Sequence, residues 1–309
     1  MTTAAVAAAA PPALLHAVGD RALTWLDNHR EFFRLTAEER ASGTVFERLK
    51  PIGELALIMQ VLFREGVAGS RQHTRASRLL DFAWRELLDG GTVLTELQRD
   101  EPVSPVALEV YATFRQLGYR APALEAAVEV SRRTTTWKTL EMMPNRRLGV
   151  LNAERKAGLA PSEDFDGAVS RTWLGRLPEP WTVQYNIAYD ITHTVFHLTN
   201  WGEAPDRIPP EIASYLALYL PAWMEDWLDA ENWDLLGELL VVDTCLPRPT
   251  LDARIWERYA AAQSDTGAMP AQCGMPEGDT SDVFDDVHHP TLIAVFASAM
   301  ATSRALQSA

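Results

Sequence analysis

Apolar residues recur at spacings of three and four along most of this chain, and runs that alternate apolar with polar positions are scarce. That pattern predicts an all-α protein. About twelve helices are expected, near residues 13–28, 52–65, 73–89, 105–117, 122–134, 145–157, 164–173, 183–200, 210–229, 232–244, 250–262 and 290–306. Several ends carry recognisable signals. Ser104 before Pro105 and Thr250 before Leu251-Asp252 read as N-terminal caps, and Pro210 and Pro290 read as first helical residues. Gly66, Gly118 and Gly202 follow apolar helices as C-terminal caps.

Twelve helices in about 300 residues amount to six helical hairpins, which predicts an (α/α)6-type toroid or, as the alternative, an open helical array. No linker splits the chain, so a single helical domain over 12–309 is expected. The Ala-rich start, residues 1–11, reads as a disordered tail without the basic region of a signal peptide. The Gly- and Pro-rich stretch leading into the last helix makes 263–289 one long loop, a candidate lid.

Within the helix over 183–200, one polar line interrupts an apolar segment. Asn186, Asp190, His193 and His197 follow one another at three- and four-residue intervals, flanked by Ile187, Val195, Phe196 and Leu198. Polar groups are costly to bury without partners, so this line predicts a site facing an enclosed space. His-x3-His is a metal-ligand spacing, and Asp190 completes a two-histidine, one-carboxylate set suited to zinc or iron. The zinc-protease motif is excluded because Thr194, not Glu, follows the first histidine. Alternatively, Asp190 orients His193 as a general base, with His197 as a second acid. Core histidines bonded to neighbouring helices are the structural alternative.

A second cluster, Asp282-Val283-Phe284-Asp285-Asp286-Val287-His288-His289-Pro290, brings three acids and two histidines up to a predicted helix start. The acids suit a helix N-terminus, and Asp286 is a candidate substrate contact. Residues before a proline are extended, so one of His288 and His289 is expected to face the site; His288 is the candidate third metal ligand beside His193 and His197. A terpene-cyclase-like reading is a minor alternative, since the usual aspartate spacings are missing. Lone acids in apolar helices, Glu54, Glu109 and Glu238, either converge on a lumen or pair locally. Trp201, Trp223, Trp227 and Trp233 crowd one region, and Trp201 is a candidate wall for an apolar ligand. Arg146 and Arg147 either hold an anionic group of a substrate or, more simply, pair on the surface with Glu154 or Asp164.

Composition narrows the classes. With a formal net charge of -14 and a pI near 5.0, the surface repels phosphate backbones, which argues against nucleic acid as a partner. Two cysteines, Cys245 and Cys273, make no disulfide framework and fit a reducing cytoplasm. No apolar run is long enough for a membrane span. Glycine-rich phosphate loops and the Gly-x-Ser-x-Gly motif are missing, so no nucleotide cofactor is expected; a divalent metal, zinc or iron, remains open.

The runs Thr192-His193-Thr194-Val195-Phe196-His197-Leu198-Thr199-Asn200-Trp201-Gly202, Trp233-Asp234-Leu235-Leu236-Gly237-Glu238-Leu239-Leu240 and His288-His289-Pro290-Thr291-Leu292-Ile293-Ala294 resemble a family of actinobacterial proteins of unknown function. The similarity runs from about Leu49 to the C-terminus. Members of that family look all-helical and often accompany natural-product biosynthesis. The resemblance implies a small-molecule enzyme and assigns no catalytic residue. The expected function is therefore proton-transfer or metal-assisted chemistry (lyase, cyclase, isomerase or hydrolase) at His193, Asp190, His197, Glu238, His288 and His289, with Asn186, Trp201 and Asp286 toward the substrate. A non-catalytic helical binding or scaffold protein is the alternative.

Overall fold

The computed structural model describes residues 8–35 and 45–307. Among these, fourteen α-helices follow one another: α1 Pro12–Asn28, α2 Val45–Glu65, α3 Arg71–Phe82, α4 Thr92–Asp100, α5 Val106–Gln116, α6 Pro122–Arg132, α7 Thr135–Thr139, α8 Pro144–Lys156, α9 Phe165–Val169, α10 Tyr185–Leu198, α11 Pro210–Asp229, α12 Trp233–Cys245, α13 Ala253–Ala262 and α14 Thr280–Gln307. The described residues form no strand, only the isolated bridges Ala9 to Asp252 and Asn232 to Gln272. The all-α expectation holds. Closure of six hairpins into a toroid rests on helix count, and the packing within each compact unit does not bear on it.

The chain divides into two compact units, one comprising Met1–His29, Val61–Arg75 and Leu177–Ala309, the other Arg30–Gln60 and Ala76–Arg176. Two of the crossings between units, at 60/61 and 75/76, fall inside the continuous helices α2 and α3, where no linker can announce them. In the first unit, α12 is buried from Trp233 to Cys245 except at Asp234, matching a sequence that is apolar on every face. It packs against α10, α11, α13 and α14, and α14 also packs along α1. In the second unit, α5 packs against α8 and α4 against α6, around the rings of Trp84, Tyr111, Phe114 and Tyr119.

The elements differ from expectation in three ways that matter. First, α14 begins at Thr280, ten residues before Pro290. The Asp279 carboxylate accepts from the backbone N–H groups of Ser281 and Asp282, at 3.0 and 3.1 Å, and so caps the helix. Pro290 lies inside the helix rather than at its start, and the long loop shrinks to 263–279. Second, the cap of α13 is Asp252, not Thr250; its side chain accepts from Arg254 and Ile255. Likewise Pro105, with no side-chain bond, stands where Ser104 was expected to cap α5. Third, α4 and α7 went unpredicted because helices of nine and five residues span too few turns to show a period.

Residues 1–7 of the expected tail lie outside the described residues. Ala8 and Ala10 do not hang free: Ala10 N–H donates to the Leu251 carbonyl at 2.7 Å and Ala253 N–H to that of Ala8 at 2.8 Å. No helix among the described residues is long and apolar enough to cross a membrane.

Candidate active site

The candidate site lies within the first unit and starts from Glu238, whose side chain is 1% exposed on the all-buried helix α12. A carboxyl group there needs partners, and two neighbouring helices supply them. From α10, the Thr192 hydroxyl donates to Glu238 Oε2, and His193 Nδ1 stands 3.7 Å from the same oxygen. From α14, His289 Nε2 stands 3.8 Å from Glu238 Oε1. Burial raises the Glu238 pKa above its ordinary value; charge on His193 or His289 pulls it down, and nearby Asp234 pushes it up again.

One turn before Glu238, Asp234 lies in the first turn of α12, where the helix N-terminus favours negative charge. Its Oδ1 is 2.7 Å from His289 Nδ1, and its Oδ2 accepts the Tyr189 hydroxyl at 2.6 Å. The phenol's pKa is pushed far up by burial and by the Asp234 charge, so Tyr189 remains a hydrogen donor. A carboxylate acceptor at Nδ1 places the ring hydrogen there and leaves the lone pair of neutral His289 on Nε2. His193 is set the same way by a different acceptor. Its Nδ1 lies 2.9 Å from the Tyr189 carbonyl, which cannot donate, so its Nε2 carries the lone pair. The imidazoles keep 32% and 23% of their side-chain surface exposed. Both rings are thus partly open to solvent, with a shared buried carboxyl between them.

The structure thus brings together His193, Glu238 and His289 from the sequence reading and adds Asp234, Tyr189 and Thr192. Nothing in the sequence singles out Asp234, because an acid in the first turn of a helix needs no further explanation. The carboxylate approaching His193 Nδ1 is Glu238 rather than Asp190, which sits half-buried one turn earlier and accepts the Thr194 hydroxyl on its backbone carbonyl.

His288 parts company with His289, because successive helix residues point about 100° apart. Its Nδ1 bonds the Phe284 carbonyl at 3.0 Å and its ring stacks on Phe284, which in turn stacks on Trp25. His197 lies one turn beyond His193, 6.4 Å between ring centroids, edge-on to Trp201. The expected metal set of His193, His197 and His288 is therefore not assembled. Among the described residues no group of three His, Cys, Asp or Glu side chains is placed to hold a metal ion.

Other candidates fall outside the cluster. Asn186, Asp282, Asp285 and Asp286 are exposed at helix N-terminal turns. Trp201 packs into a ring cluster with Phe196 and Phe296, at centroid distances of 5.0 and 5.8 Å. Glu54 pairs locally with Lys50 at 3.6 Å and Glu109 with Arg146, so neither is a free lumen acid. Arg147 reaches Glu163, not Glu154 or Asp164. Cys245 is buried and its thiol is pushed up to about 11, an inert core residue.

Comparison with curated proteins and with solved structures yields no match. A family model, by contrast, matches residues 19–299, reaching thirty residues further toward the N-terminus than the resemblance seen in the sequence and taking in every member of the cluster. The chain accordingly belongs to the DUF6895 family, a domain of unknown function.

Proposed function

We propose that the chain is a small-molecule enzyme whose chemistry is proton transfer at His289 and His193. One observation carries this reading: a buried carboxyl group stands between two partly exposed imidazoles whose Nδ1 atoms are already committed. His289 Nε2 takes a proton from the substrate, and Asp234, held by Tyr189, stabilises the imidazolium that forms. Positive charge on either imidazole lowers the Glu238 pKa, so proton gain by a histidine and proton loss by Glu238 are linked. Glu238 is too buried to meet substrate itself and acts through its neighbours. Lyases, cyclases, isomerases and hydrolases share such a step. A place in natural-product metabolism rests on the sequence resemblance alone.

The test needs no prior substrate. Ketones, hydroxy acids and polyketide-like β-dicarbonyls are incubated with the protein in deuterated water, and deuterium at carbon is read by mass spectrometry. Wild type should label at least one compound, and His289→Ala and His193→Ala should lose the label while keeping their helical circular dichroism. Equal labelling by wild type and both variants rejects the assignment.

A second reading, a helical binding module, draws support from Trp181, 81% exposed, and Leu218, 66% exposed. It predicts no labelling by wild type, and loss of a partner in Trp181→Ala.

A further inference from the structure

A cavity of about 370 Å³ lies within the first unit, bordered by the first turns of α1, the C-terminal end of α2 and the C-terminal half of α14. It shares no residue with the His193–His289 cluster. Its walls are mainly apolar, with Pro12, Leu62, Val67, Val295, Ala299 and Leu306 among them, and its volume falls in the range of small-molecule pockets.

Two hydroxyls in this wall lack what such groups normally have. Ser and Thr inside helices often bond the carbonyl four residues back, as Thr194 and Thr291 do. Ser298 Oγ and Thr302 Oγ1 are buried and have no hydrogen-bond partner. Ser298 is 2% exposed, and Gly19 of α1 closes over it: a Cβ on Gly19 would come within 2.8 Å of the Ser298 Cβ. At a four-residue spacing, the two hydroxyls share one face of α14. A buried, unpaired hydroxyl costs free energy that a ligand oxygen can recover. The charge of the wall restricts that ligand. No Lys or Arg lines the cavity, and its carboxylate, Glu65, is already held by Arg64 at 2.5 Å. His16 is the one basic side chain in the wall, so an anionic headgroup finds no ammonium or guanidinium partner here.

We infer that this cavity binds a neutral, mainly apolar small molecule whose hydrogen-bond-accepting oxygen, in a ketone, ester or alcohol, meets Ser298 and Thr302. The occupant is a second ligand, separate from the substrate of the proton-transfer site.

The test uses N-phenyl-1-naphthylamine, a neutral fluorescent hydrophobe, with the full chain. Wild type should bind it saturably, near one equivalent. The ketone 2-nonanone should displace it at about tenfold lower concentration than the hydrocarbon 1-nonene, the ratio expected of one hydrogen bond. Ser298→Ala combined with Thr302→Val should shrink that gap to about twofold, and Ala299→Trp should weaken probe binding at least tenfold. Ser303→Phe, at the rim, serves the same purpose if Ala299→Trp does not fold. The proposal is overturned by a wild type without saturable binding, by a folded blocking variant that binds as wild type does, or by a ketone preference that survives loss of both hydroxyls.

Discussion

His289 and Asp234, 55 positions apart in sequence, face each other across α14 and α12 with Nδ1 and Oδ1 2.7 Å apart. The contact fixes which imidazole nitrogen is available. Asp234→Asn keeps the shape and removes the charge. The rate of carbon deuteration should fall by about 10²–10⁴-fold with unchanged helical content. Tyr189→Phe, which removes the second bond to Asp234 and the hydroxyl contact with Tyr185, should cost far less. An Asp234→Asn protein that labels substrate at the wild-type rate would remove the dyad from the mechanism.

Glu238 makes the stability of the fold depend on pH in a stated direction. Burial raises its folded pKa above the ordinary 4.5, so between that value and the folded pKa the native state holds a proton that the unfolded chain has released. More protons in the native state means that stability falls as pH rises through this window and is fully present only below it. Glu238→Gln keeps an acceptor for Thr192 and removes the ionisation. Its unfolding midpoint in urea should exceed that of wild type at neutral pH and approach it near pH 4. A variant less stable than wild type at neutral pH would contradict the assigned shift.

Gly237 is required by Tyr259 and Ile293. A Cβ at position 237 would lie 2.5 Å from the Tyr259 hydroxyl oxygen and 2.7 Å from Ile293 Cγ2. Gly237→Ala should therefore destabilise by about 1–3 kcal/mol, although alanine is the better helix former. The Tyr259 hydroxyl is buried without a hydrogen-bond partner, so Tyr259→Phe alone should cost little. Combining the two should recover part of the Gly237→Ala loss, read as a non-additive double-mutant cycle in thermal unfolding. Strict additivity would show that the hydroxyl is not the obstacle.

How much of this was readable in the residues depends on whether the signal was local. Helix α12 was visible because it is apolar on every face, and α11 because Pro210 marks its first turn. Glu238 stood out as a lone acid among leucines. Asp234 did not, since nothing local separates a helix-entry acid from half of a dyad completed by a different helix. Pro290 misled more seriously. A proline opens many helices, but Asp279 supplies a stronger cap eleven residues upstream, and the helix runs through the proline. Placing His288 and His289 in that helix rather than in an extended segment sends one ring to Phe284 and the other to Asp234. The three histidines 193, 197 and 288 are not brought together for a related reason: helical spacing aligns His193 and His197 but says nothing of what stands opposite them.

The second unit offers a buried carboxylate of another kind. Glu154 on α8 has no exposed side-chain surface and gathers three donors: Trp137 Nε1 at 3.1 Å, the Ser162 backbone N–H at 2.6 Å and Arg132 Nε at 3.3 Å. These come from α7, from the segment after α8 and from α6, so one side chain ties three stretches of chain together. Its role is structural, because every donor is a local partner and none leaves a group free to act on a ligand. Glu154→Ala would strand an indole N–H, a backbone N–H and a guanidinium at once, which should destabilise by about 3 kcal/mol or more. Glu154→Gln retains one acceptor oxygen and should lose roughly half as much. Urea unfolding followed by tryptophan fluorescence measures both, and deuterium labelling at the His289 site should persist in whatever fraction of each variant stays folded. If Glu154→Ala unfolds at the wild-type midpoint, the three bonds do not hold these segments together.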